Sequence, residues 1–219
     1  AIAFHTPKRD NQEEFCRKHS EKNTKQHQKT IDQFKAFLEE WQMFLTWFKT
    51  LKIHLELEHF RAIHACWDDM HIHWLDKNFV GFTDSFIEAA TNKEKKEYLV
   101  IEELLKGKEE SLPKPHFFLD KDGIKRFNCR VKWWLPLDKR FKYIDVMLAC
   151  PKEIINKPLP DKDYYHYNEE IPVFFGHYWL TGKPKLENSK AICLDYSVAR
   201  EGLLVAFRSE FLGTPDLEK

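Results

Sequence analysis

Glycine is scarce, at 7 in 219 residues, and no glycine-rich spacing able to cradle a phosphate occurs, which excludes the P-loop and the dinucleotide fingerprint. Cysteine is thin as well. The five cysteines (Cys16, Cys66, Cys129, Cys150 and Cys193) are odd in number and contain no CxxC pair, so neither a secreted disulfide framework nor a zinc knuckle is expected. Net charge is absent: 35 Lys and Arg balance 35 Asp and Glu, leaving no overall field to draw the chain to a nucleic acid polymer or an anionic membrane. No apolar run approaches the ~20 residues of a membrane span. The N-terminus lacks a basic segment followed by an apolar one. A cytoplasmic protein is the expectation, with no nucleic acid polymer and no membrane among its partners.

What is present is core material. Hydrophobic residues make up 42% of the chain and aromatics 15%, enough for one large domain packed thickly against a sheet. Lys8 to Lys29 is polar and reads as a loop or an exposed helix. From Thr30, the residues Ile31, Phe34, Leu38, Trp41, Leu45 and Phe48 recur at spacings of three and four, which predicts one helix starting at a Thr30/Gln33 capping box. After Lys52 the period drops to two. Ile53, Leu55 and Leu57, then Phe60 to Ile63, predict adjacent strands. Short helices come next over Met70–Asp76, over Asp84–Ala90 with Asp84 as N-cap, and over Tyr98–Leu105, stopping before Gly107. Beyond a Pro-containing linker, HFFLDKDGIKRFNCRVKWW carries a hairpin-like Asp-Gly turn. Lys139–Tyr167 is irregular. Val173–Phe175, Ala191–Leu194 and Leu203–Phe207 predict three strands, the last two joined around YSVAREG. The order predicts an α/β (α+β mixed) domain with a mainly helical insertion at about 70–112.

Two histidines close strand-like runs: His177 in IPVFFGHYWLTG and His64 in FRAIHACWDD. A neutral imidazole at a strand end is a common metal ligand, although a lone one more often bonds a carbonyl in a core. The Gly176-His177 pair predicts a tight turn at the strand end, with glycine required by a close backbone approach. His71 and His73 would share a face only on a strand, and their segment reads as a helix. His5, His54, His59, His116 and His166 sit in polar or alternating contexts and read as surface or loop residues. Ser197 lacks a small-residue elbow and Cys66 lacks a base, so no nucleophile of either kind is expected.

FRAIHACWD, PVFFGHYW and KAICLDYSVAREGLLVAFR together resemble the last metal-ligand blocks and closing hairpin of the calcineurin-like metallophosphoesterases, in the bacterial branch of protein phosphatase-like and diadenosine tetraphosphatase enzymes. The resemblance implies an α/β/β/α sandwich of which residues 1–219 are a C-terminal portion. It implies a dinuclear site of two divalent ions, manganese first, with iron, zinc or nickel as variants, and His64 and His177 as ligands to one of them. The family's GDxHG, GDxxDRG and GNHE blocks are not in this sequence, and AIAFHT resembles the segment directly after the third block. A chain without their carboxylates is expected to be inactive alone. Two ions about 3.5 Å apart polarise a phosphoryl group and acidify a bridging water; two imidazoles hold one ion loosely. The expected substrate is phosphorylated, a phosphoprotein or a dinucleoside polyphosphate. Arg126 and Arg130, alternating with Lys132, are candidate phosphate contacts, and solvated strand charges account for them equally. A mixed sheet of the strands near Ile53, Phe60, Val173, Ala191 and Leu203, with the Thr30 helix over it, would leave an exposed sheet open to self-association. The competing class is a non-enzymatic interaction module that uses the helix bearing Trp41 and Phe44.

Overall fold

The computed structural model describes residues 1–119, 123–148, 150–208 and 216–218. Its described residues are mixed α/β, with seven α-helices, one four-stranded sheet and four two-stranded ladders. The chain divides into two compact units, Ala1–Ile53 with Asp69–Glu102, and His54–Asp68 with Glu103–Lys219.

The first unit is helical: α1 (Ile2–His5), α2 (Glu21–Phe34), α3 (Leu38–Thr50), α4 (Asp69–Asn78), α5 (Asp84–Ala89) and the greater part of α6 (Lys96–Lys106). The single helix expected from Thr30 is two. α2 starts well before Thr30, behind the Ser20 cap, whose side chain accepts from the Asn23 amide, and the chain breaks after Phe34 before α3 begins. The break lets Trp41 fold back onto Phe34, ring centroids 4.9 Å apart. Because the spacing of three and four runs unbroken across it, periodicity alone could not reveal it. Leu38, expected on the buried stripe, is exposed, and only Trp41 and Leu45 of α3 are buried. α5 is capped by Thr83, not Asp84: the threonine hydroxyl accepts from the Phe86 amide at 3.2 Å.

The start of the polar segment is tied down. The Lys8 amide donates to the Glu14 carbonyl, and the Cys16 and Arg17 amides donate to the Thr6 and Ala3 carbonyls. Around α1 lies a histidine group. The His19 ring is sandwiched between Phe4 and Phe15, at 3.9 and 4.1 Å. His5 Nε2 lies 2.9 Å from His27 Nε2 and accepts from Trp41 Nε1 at 3.3 Å. His5 is therefore half-buried rather than a free surface residue.

The second unit holds the main sheet, in the order β1 (His54–Glu56), β2 (Arg61–Ile63), then Val173–Phe175 and Ala191–Cys193. The chain reaches the latter two through β3 (Glu109–Ser111), β4 (Phe118–Leu119), β5 (Lys125–Arg126), β6 (Asn128–Arg130) and α7 (Tyr143–Val146), which makes them β7 and β8. β3 pairs with β6 and β4 with β5, both antiparallel; Asp122 of the expected Asp-Gly turn lies outside the described residues. β1 and β2 form the expected antiparallel pair, while β2–β7 and β7–β8 are parallel. The Leu203 strand is not in this sheet. β9 (Asp195–Tyr196) and β10 (Leu203–Leu204) form their own antiparallel pair, because the Leu194 amide still donates to the Phe175 carbonyl and the chain then turns away. β11 (Ala206–Arg208) pairs with β12 (Asp216–Glu218).

The core of this unit is aromatic. Trp133 and Trp134 pack on Phe175 at 4.7 and 4.9 Å, and Tyr178 stands edge-on to Trp134. A second apolar cluster gathers Cys129, Val131, Tyr143, Val146 and Ile154. α6 ends as expected before Gly107, whose φ of +88° is left-handed.

A Cβ at Gly107 would lie 1.9 Å from the Tyr178 hydroxyl oxygen. Gly107→Ala therefore combines overpacking with backbone strain and is expected to cost at least ~2 kcal/mol, lowering the melting temperature by several degrees; an unchanged melt would contradict this packing.

The histidine group yields a pH dependence. Burial first, then the neighbouring His27, pushes the His5 pKa down to about 4, against about 6.5 in an unfolded chain. The unfolded state binds the extra proton first, so this stabilisation is full above pH ~6.5 and is lost as pH falls towards ~4. In urea denaturation across that window, His5→Gln, which keeps an acceptor for Trp41 but cannot titrate, should show a shallower loss than the parent chain.

Candidate functional site

Parallel strands end at a common rim, and in open sheets that rim is where ligands bind. β2 and β7 are aligned Arg61 to Val173 and Ala62 to Phe174, and the ladder runs on past the strands, because the Gly176 amide donates to the His64 carbonyl at 3.0 Å. This sets His64 and His177 side by side. His64 Nε2 lies 3.1 Å from His177 Nδ1, with ring centroids 4.9 Å apart. The separation is inside the ~4 Å that two nitrogens on one ion require.

The tight conformation at this corner belongs to the histidine, not the glycine. Contrary to the expectation of a close approach at Gly176, a Cβ there would make only ordinary contacts, at 3.5 Å or more. His177 itself is left-handed, with φ 72°, and so is Trp179, with φ 48°. Such backbone costs about 1–2 kcal/mol per residue, and Asp195 holds it in place. Its Oδ2 accepts from the Trp179 amide at 3.2 Å and its Oδ1 from the Ser197 amide at 3.1 Å, while its carbonyl accepts from the Leu180 amide.

Both imidazoles are held neutral near pH 7. His64 keeps an exposed edge, yet partial desolvation by its neighbours lowers its pKa, with the Asp195 carboxylate pulling the other way. His177 is pushed down to about 4 by burial first, then by the charge of Arg130 and by His64. Neutral rings present lone pairs, the form in which histidine binds a metal.

Arg130, on β6, is thus felt at this site through its charge. It pairs loosely with Glu109 at 3.9 Å, and its Nε is buried without a hydrogen-bond partner. Arg126 is exposed on β5 and is not among the charges acting on either histidine; Lys132 pairs with Glu187 at 2.8 Å. His71 and His73 both lie on α4, one buried and one exposed, so they diverge. Cys66 is fully buried and burial pushes its thiol well up. The Ser197 hydroxyl donates to the Leu180 carbonyl at 3.1 Å.

Two imidazoles would supply only part of one ion's coordination. Asp195 is the carboxylate that acts on both rings, and its two oxygens already accept backbone amides. The residues at this rim therefore fit a partial single-ion site and do not fit a complete dinuclear one. Sequence reading missed the anchoring role of Asp195 and the exposure of Trp179. Neither residue type carries a signal of its own at these positions. No family model, curated protein or solved structure matches the chain.

Asp195→Ala leaves two amides without their acceptor and is expected to cost ~1–3 kcal/mol, with hydrogen exchange accelerating selectively at Trp179 and Ser197. Protection at those two amides equal to that of the parent would remove Asp195 as the anchor.

Proposed function

We propose that this chain is the metal-binding C-terminal part of a metal-dependent phosphoesterase of the calcineurin-like kind, hydrolysing phosphate esters or phosphoanhydrides. The observation that carries the reading is the juxtaposition of two neutral imidazoles, 3.1 Å apart, at the C-terminal rim of parallel strands. In this reading His64 and His177 ligate one divalent ion, manganese in the working enzyme. The carboxylates that complete and bridge the centre come from the three acidic blocks this sequence does not contain. In this reading Arg130, whose charge acts on His177 and whose Nε is buried without a hydrogen-bond partner, is the first candidate for a phosphoryl oxygen, and Arg126, exposed on β5, is the second. The mixed sheet would be one layer of the family's sandwich.

A second reading, an interaction module, draws on α3, which exposes Leu38, Met43 and Trp47. Exposed large apolar side chains on one helix are what a protein-contact surface would use.

Calorimetry tests the main reading. The chain should bind zinc or nickel weakly and manganese without a resolvable tight phase, since imidazole favours the former ions; His64→Ala or His177→Ala should abolish the zinc signal. In a polypeptide that also carries the three acidic blocks, His177→Ala should reduce turnover beyond the ~10–100-fold typical of losing an outer-shell partner, with the melting temperature little changed. Zinc binding unaffected by both substitutions would return the two histidines to a structural role.

A further inference from the structure

Trp179 comes two residues after His177 and stays half in solvent, 51% exposed, although its neighbour Tyr178 is buried in the aromatic core. Nothing about its sequence forces this. The indole is held out by a left-handed backbone and by the bond from its amide to Asp195. Strain retained at an exposed aromatic beside a candidate ligand site points towards a ligand. One face of the indole is covered by the Arg200 guanidinium, 4.3 Å from the ring centroid. Arg200 belongs to the short 3-10 turn Val198–Arg200, which is flanked by two further left-handed residues, Ser197 and Glu201. No carboxylate among the described residues pairs with it. The His177 ring is 6.5 Å away, centroid to centroid, and Arg130, with its buried unpartnered Nε, stands close enough to act on that histidine.

We propose that Trp179, backed by Arg200, is a stacking platform for a nucleobase, so that the phosphate compound taken at the His64–His177 rim is a nucleotide and not a phosphoprotein. The inference rests on the phosphoesterase reading for where the phosphate goes, and on Trp179 and Arg200 alone for where the base goes. Arg200 polarises the indole from one face, and half of the residue stays in solvent as open aromatic surface. Such a surface accepts any base, because every base offers a π-face. The charge of Arg130 acts on His177, so phosphates that extend from a stacked base towards the histidines would meet a cation. A phosphoserine or phosphothreonine side chain has no planar group to set against the indole.

Binding to the 219-residue chain, measured by calorimetry with zinc present, tests this with four probes: adenosine 5′-monophosphate, adenosine, ribose 5-phosphate and a phosphoserine peptide. The nucleotide should bind more tightly than the base-free sugar phosphate. Trp179→Ala should weaken the nucleotide roughly 5–100-fold and leave ribose 5-phosphate unchanged, while Trp179→Phe should keep most of the affinity. His177→Ala should weaken both phosphates and spare adenosine itself. Equal affinity for nucleotide and sugar phosphate, an equal loss of both in Trp179→Ala, or a peptide that binds better and depends on Trp179, would overturn the platform. The two readings fail separately. Adenosine binding lost in Trp179→Ala, with zinc and phosphate indifferent to both histidines, sinks the phosphoesterase reading and upholds the platform; phosphate binding that depends on the histidines, with the nucleotide indifferent to Trp179, does the reverse.

Discussion

The parallel ladder of β2 and β7, prolonged by the bond from the Gly176 amide to the His64 carbonyl, is the constraint on which the rest of the site depends. It fixes two backbones side by side at the point where each delivers a histidine. At 3.1 Å, two imidazolium charges would repel by about 5 kcal/mol at an effective dielectric of ~20. At least one ring must therefore be neutral, and the lowered pKa values of both agree with this. A pair of close, uncharged nitrogen donors is stable as a hydrogen-bonded pair or as ligands of a shared cation.

Polar ties make this corner stiff. Beyond His64, the Ala65 and Cys66 amides both donate to the Leu104 carbonyl at the end of α6, the Ala65 carbonyl accepts from Trp133 Nε1 at 2.9 Å, and the Trp67 carbonyl accepts from the Tyr165 hydroxyl at 2.6 Å. Lys108 bridges Asp68 and Glu103, so a buried carboxylate is neutralised within its own network. These bonds leave the strand exit one arrangement, the kind of support that precise ligand geometry needs. Gly107, pressed against Tyr178, allows the helix end to come that near.

Local chemistry that repeats was legible in the sequence. Alternation in Ile53–Leu57, the β-rich runs before His64 and His177, and the glycine after α6 are each dictated by neighbours within a few residues. What escaped was set by distant partners. The break between α2 and α3 is decided by Trp41 meeting Phe34, and the periodicity is blind to it. The Leu203 strand has the residues of a sheet strand, but the chain turns at Leu194, so it pairs with β9 instead. At the site, the two histidines were legible because glycine and aromatics frame them. Asp195 was not, since its task is to accept two backbone amides, and an aspartate at the start of a short strand looks the same whether it caps, ligates or is solvated.

The distribution of strain supports the same focus. Among the described residues, four that are not glycine have left-handed backbones, His177, Trp179, Ser197 and Glu201, and all four lie in the loop after β7 or the closing turn after β9. Asp195 sits between the two groups and bonds to an amide in each. Gly202 closes the turn where any Cβ would fall 2.0 Å from the Tyr196 carbonyl oxygen, so the turn has no room to relax by widening. A fold that needed only to cover its core could join these strands through unstrained loops. Concentrating the strain around one carboxylate fixes the direction of one imidazole and one indole, and those are the two side chains on which a metal ion and a flat ligand would be set side by side.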